Sequence, residues 1–363
     1  MQRMDFTSLL YSLPRDHETL IRELDSLLGT EFSTVTAIPY VSAQSPLDCF
    51  RSQGRKELQV LRKYDGLYLF ELVFRPPGDR ADVVRGRFFV VNDPHTIDTY
   101  VILTKESAEF IRRALLPFVE RNIHKFYLTF LRHEDLRSLL GGFKTEYGFT
   151  DLRVVRASLV SRFPSERGEA IIPSVTWPRL GLDGAFRYAN EQNAWFKSLT
   201  FEALEQSRVV AEVSVYRNGV IKTDGNFQRV YNSLVSRVCL LARSNVELFS
   251  NRSRRDNPDL TVRPLSIHYD FELFEDIEEN AKFISAMRKL DNASVSVVHG
   301  NPYISLAVID YSDGSTFDIW VLNPSEIVVI PQFRSTTAAV KKVISCIFEN
   351  YAEGTIRDRP RVG

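Results

Sequence analysis

Runs rich in Val, Ile, Tyr, Phe and Trp occupy positions 294–299, 303–311, 315–322 and 326–332, each separated from the next by turn residues. Gly300-Asn301-Pro302, Asp313-Gly314 and Asn323-Pro324 supply those turns. Gly accepts positive φ, Asn and Asp bond their own backbone, and Pro pre-sets φ. The pattern predicts an antiparallel meander. After Gln332 the period changes: Val340, Val343, Ile344, Ile347, Phe348 and Tyr351 recur at spacings of three and four and so share one helical face. Ser335 or Thr336 is the expected cap and Gly354 the expected stop.

A similar arrangement stands nearer the other end. Positions 66–75, 83–91 and 99–103 read as strands, and 107–122 as a helix through Phe110, Ile111, Leu115, Phe118 and Val119. Phe88-Phe89-Val90-Val91-Asn92-Asp93-Pro94 leading to Phe118-Val119-Glu120 echoes Phe317-Asp318-Ile319-Trp320-Val321-Leu322-Asn323-Pro324 leading to Phe348-Glu349. Duplication explains the echo, and so does convergence of two strand–turn–helix patterns, because no fixed period recurs.

The remaining pattern fills in the organisation. Positions 1–30 read as helical, with Leu20, Ile21, Leu24, Leu27 and Leu28 apolar and Pro14 dividing the run. Within 126–147 a helix is expected to stop at Gly141-Gly142, and 151–163 reads as a strand. From 164 to 198 Pro and Gly break every period while Trp177, Phe186, Tyr188, Trp195 and Phe196 keep the tract apolar, as in an ordered connection or a covering loop. Asn218-Gly219 between β-favouring runs at 209–216 and 220–223 predicts a hairpin. Asp224 is the expected cap of a helix whose Phe227, Val230, Tyr231, Leu234, Val238, Leu241 and Ala242 form one face. The expected class is α+β: two antiparallel-sheet units, each covered on one face by helices. Its divisions are an acidic helical arm (1–50), a first unit (51–163), an aromatic connection (164–204) and a second unit (205–363).

Composition narrows the functions. Of 363 residues 44% are apolar, enough for substantial cores, and 46 basic residues balance 46 acidic ones, so no overall field selects a partner. Arg outnumbers Lys 35 to 11, which a compositional bias explains as well as forks that grip phosphates or carboxylates. Cys49, Cys239 and Cys346 are widely spaced among apolar neighbours, as expected of buried thiols in a reducing, cytoplasmic setting. The N-terminal residues lack a signal-peptide pattern, and no apolar run approaches the roughly 20 residues of a membrane helix.

Signatures of chemistry are few. The chain has no Gly-Lys pair of a phosphate-cradling loop, no Gly-x-Ser-x-Gly, no His-Glu-x-x-His, no Gly-x-Gly-x-x-Gly and no Cys-x-x-Cys. His133 beside Glu134 and Asp135 suits a proton shuttle, although neighbours on a helix diverge by about 100° and a charged helix start explains them equally. His268, Asp270 and Glu272 would share one face of a strand. Glu272, Glu275, Asp276, Glu278 and Glu279 fit a helix N-terminus better than a metal site. No catalytic residue, metal or cofactor is assigned.

The first expectation is therefore a non-catalytic interaction protein, a subunit of a larger assembly or a homodimer. The second is nucleic-acid binding through Arg229, Arg237, Arg243, Arg252, Arg254, Arg255 and Arg263, joined by Arg51, Arg55 and Lys56 from the early basic cluster. The third is a metal-dependent hydrolase or nuclease with an atypical site. No membrane partner is expected.

Overall fold

The computed structural model describes residues 16–30, 34–64, 66–77, 82–161, 171–172, 179–256 and 261–359. The expected helix before Pro14 and most of the tract from 162 to 178 lie outside them. The chain divides into two compact units, residues 1–160 with 171–244, and residues 161–170 with 245–363.

The first unit opens with helix α1 (His17–Thr30), strand β1 (Val35–Val41) and the short helix α2 (Pro46–Cys49). The meander β2 (Lys56–Tyr64), β3 (Leu67–Phe74), β4 (Val84–Asn92) and β5 (Thr99–Thr104) follows. Helix α3 covers 108–121, its middle turn Ile111–Leu115 widened to π geometry and its start capped by Ser107. Helix α4 (His133–Tyr147), strands β6 (Asp151–Ser161), β7 (Ile171–Ile172) and β8 (Leu180–Gly181), and helix α5 (Leu182–Glu191) lead to β9 (Ala194–Glu205), β10 (Arg208–Tyr216) and β11 (Ile221–Gly225). Helix α6 covers 227–249, with a second π turn at Tyr231–Val235.

These strands form one antiparallel sheet in the order β2-β3-β4-β5-β1-β11-β10-β9-β6-β7, with β8 on β6. β1 is the joint. It pairs β5 from Thr36 to Val41 and β11 from Val35 to Ala37, so residues on either side of the expected connection share one sheet. That pairing places β9, β10 and β11 in the first unit, and the division falls near residue 244 instead of within the aromatic tract. That tract itself carries α5 and β9.

Pro39 in this central strand is tolerated for a local reason. Val41 donates to the Tyr127 carbonyl, and residues two apart point their N–H groups the same way. Pro39 therefore falls in the gap between the last β11 pair and Tyr127, where a missing donor breaks no ladder bond.

The sheet is buried on both faces, unlike the one-faced covering expected. Val35, Ala37, Leu69, Phe89 and Leu103 join the apolar residues of α1, α4, α5 and α6 in one core. Ile38, Tyr40, Phe70, Phe88 and Ile102 join those of α2 and α3 in another. Near-continuous apolar strands such as Leu67–Phe74 require cover on each side.

Two local expectations change. Helix α4 runs through Gly141-Gly142 and ends at Gly148, whose φ of 62° suits a left-handed cap. A Cβ at Gly142 would lie 1.7 Å from Arg237 Nη1, the end of a flexible side chain that would have to swing aside. The cap of α6 is Asn226, whose side chain accepts from Arg229 N, since β11 continues through Asp224 and Gly225. The hairpin at Asn218-Gly219 forms as the pattern predicts, with Tyr216 N donating to Val220 O at 2.9 Å.

The second unit holds β12 (Leu265–His268), α7 (Ile277–Met287), β13 (Ala293–His299), β14 (Ile304–Asp310), β15 (Ser315–Asn323), β16 (Glu326–Pro331), α8 (Thr337–Asn350) and β17 (Thr355–Asp358). Its antiparallel order is β13-β14-β15-β16-β12-β17. Ile304, Leu306 and Val308 are buried in alternation along β14, as are Phe317, Ile319 and Val321 along β15. Val340, Val343, Ile344 and Ile347 of α8 and Phe283 and Met287 of α7 complete the core. Thr336 caps α8 and Asp276 caps α7, each accepting from a backbone N–H three residues on.

The two ends of the chain share a topology. In each, a strand and a helix precede a four-stranded meander and a second helix, and the first strand lies antiparallel beside the meander's last: β1 on β5, β12 on β16. The fold is α+β.

Candidate interaction edge

The basic residues singled out above occupy three kinds of place. Arg229, Arg237 and Arg243 belong to the first unit and Arg252, Arg254, Arg255 and Arg263 to the second. Most hold carboxylates of their own. Arg229 reaches Glu205 at 3.4 Å and stacks over Tyr147, Arg237 reaches Glu146 at 2.9 Å, and Arg243 reaches Asp98 at 3.5 Å. Arg263 pairs with Asp358 and Arg51 with Asp48.

Arg252 is 2% exposed and cannot meet a phosphate. Its guanidinium donates to the carbonyls of Leu248, Arg263 and Pro264 and to Asp358 Oδ1 at 2.7 Å. Burial lowers its pKa, against the hydrogen bond and charge of Asp358.

Lys56 is also buried, at 6% exposure. Its Nζ donates to Ala114 O in the π turn of α3 at 2.9 Å and lies 5.6 Å from the ring centroids of both Phe74 and Phe118. Burial, with the like charge of Arg121, takes its pKa down to about 8. Only Arg55, Arg254 and Arg255 of the named set present exposed side chains with no ion pair among the described residues.

The histidine constellations do not assemble. His133, 3% exposed, stacks on Phe196 with rings 6° from parallel and meets Phe186 edge-on, while Asp135 caps the helix start by accepting from Arg132 N. It is a core residue. His268 ends β12, so Asp270 and Glu272 lie past the strand and never share its face. Its Nε2 is 3.0 Å from Ser266 Oγ and 3.4 Å from Glu326 Oε1. Among the described residues no three His, Cys, Asp or Glu side chains gather as a metal site would require, and no helix is long and apolar enough to cross a membrane.

What the structure does present is a sheet edge. Among the described residues β13 ends the second sheet, pairing β14 on one side only, and its residues run from half-buried at Ala293 to exposed at His299. Val298 is 69% exposed; Val297 and Tyr303 near it, and Ile309 and Tyr311 at the other end of the strand, are exposed too. Ala293–His299 contains no Asp, Glu, Lys, Arg or Pro.

The opposite edges are built differently. β2 carries Lys56, Glu57, Arg62 and Lys63, and a bulge between Val60 and Arg62 interrupts its ladder beside the exposed Val60 and Leu61. β17 has four residues and carries Arg357 and Asp358. Charges and bulges are how edge strands are kept from pairing with other chains. β13 has one bulge, between Val297 and His299, and a regular ladder from Ala293 to Val297.

The charge-free edge could have been found in the sequence, where Ser294-Val295-Ser296-Val297-Val298 stands out. What the sequence could not supply was its place at the end of the sheet. Compared with family models and with curated proteins, the chain matches none.

Proposed function

We propose that this chain is a non-catalytic interaction protein that associates through the edge of its second sheet. The observation that carries the reading is β13: a seven-residue edge strand without charge, flanked by exposed apolar side chains. Such an edge offers unpaired N–H and C=O groups for backbone bonding and alternating side chains for specificity. The distribution of cations also favours it. Binding to nucleic acid needs free cations on one face, whereas the named arginines are mostly paired, and Arg252 and Lys56 are buried.

The test is purification from the native cells with and without raised salt, comparing the wild-type chain with S294K/S296K. A protein partner or a self-associated form present in the first and lost in the second supports the reading. Nucleic acid that leaves with salt from both would replace it with phosphate binding at Arg254, Arg255 and Arg55.

A further inference from the structure

The edge pattern says which partner fits, provided that β13 is the docking strand as proposed above. We infer that its occupant is a second copy of this chain, with β13 paired antiparallel to β13 about a two-fold axis at Val295.

Antiparallel pairing about Val295 sets Val295 against itself, Ser294 against Ser296, and Ala293 against Val297. Each pair is compatible. Ser294 and Ser296 face away from the helices, as Ile309 opposite Ser294 and Ala307 opposite Ser296 do, and facing hydroxyls can hydrogen-bond across strands. Ala293, Val295 and Val297 share the other face with the buried Val308 and Leu306, so the two-fold continues one apolar row with small opposite large.

Charge decides between edges. Copies of β2 brought together would place the exposed Arg62 and Lys63 of each at the seam, and β17, with Arg357 and Asp358 among its four residues, is too short to form a comparable ladder. Copies of β13 bring no ionised side chain into the paired stretch. An isologous contact requires a patch complementary to itself, and of these three edges β13 meets the requirement.

The ends of the strand add contact. Tyr311 N bonds Asn292 O just before β13, while Tyr303 sits in the turn after it. Both rings are exposed, and the antiparallel arrangement brings the Tyr311 end of one copy to the Tyr303 end of the other. The bulge past Val297 ends the ladder there and leaves His299 outside it. A five-residue ladder alone falls short of the ~800 Å² per partner of a stable interface, so the dimer should form reversibly at micromolar concentrations.

The register gives a sharp test, because residue 294 of one copy faces 296 of the other. S294K/S296K opposes like charges twice, and S294E/S296K opposes unlike charges twice, on the same exposed face. Light scattering of the full chain across concentrations should give a dimer for wild type, at least a tenfold weaker dimer for S294K/S296K, and a restored dimer for S294E/S296K. Val295→Cys should yield a disulfide-linked dimer under mild oxidation, the native cysteines being buried. Far-UV circular dichroism of each variant must match wild type.

A wild type that stays monomeric at 100 times the working concentration overturns the second-copy assignment. If S294K/S296K then still strips a protein partner from the native purification, the broader reading survives. A dimer indifferent to both double variants overturns β13 as the contact.

Discussion

The Arg252 guanidinium, almost wholly buried, reaches Asp358 Oδ1 at 2.7 Å and also holds the carbonyls of Arg263 and Pro264. One side chain thus ties the segment entering β12 to β17, the last strand of the second sheet. Replacing it with Ala removes the donor and leaves three carbonyls and a carboxylate without it. We expect Arg252→Ala to destabilise the second unit by about 3 kcal/mol, seen in urea unfolding. Arg255→Ala, on an exposed side chain, should stay within ~0.5 kcal/mol of wild type.

Lys56 makes stability depend on pH in the alkaline range. Its folded pKa of about 8 lies below the ordinary lysine value because burial disfavours the charged form. The unfolded chain therefore binds more protons between these values, and stability rises with pH from about 8 towards ~10.4. Lys56→Met should remove that rise, measured as the melting temperature of wild type and variant at pH 7, 8.5 and 10.

His17 acts at the acidic end. Its Nε2 lies 2.8 Å from Tyr231 OH, joining α1 to α6, and burial lowers its pKa against the opposing charges of Asp93, Glu18 and Asp16, with His95 adding to the lowering. A His with a lowered folded pKa loses stability as pH falls through the unfolded value near 6.5. Hydrogen exchange within α1, corrected for intrinsic rates, should accelerate between pH 7 and 5, and His17→Gln should flatten that change.

Gly219 is needed twice in the β10–β11 hairpin. Its φ is +80°, and a Cβ would lie 2.8 Å from Thr129 Cγ2. Gly219→Ala should cost about 1–3 kcal/mol in urea unfolding, and Gly54→Ala, at positive φ with nothing within 4 Å, should cost less.

Local signals carried much of the fold. Asn218-Gly219, the caps Ser107 and Thr336, and the change from strand to helix spacing near Gln332 each act within a few residues, so their elements could be read from the chain. β1 could not. Val35–Val41 contains a proline and is buried on both faces, and both features come from its position between β5 and β11.

The candidate site divides the same way. The arginines looked like a patch because they are close in sequence, but their partners Glu205, Glu146, Asp98 and Asp358 come from distant elements. Lys56 belonged to an exposed-looking cluster, yet α3 folds over it. The sequence by itself determined most of the stretches that become strand or helix, because turns, caps and periodicity act over a few residues. Which strand stands at an edge, which cation is neutralised and where the chain divides were decided by tertiary structure alone, because pairing and burial depend on residues far apart in the chain.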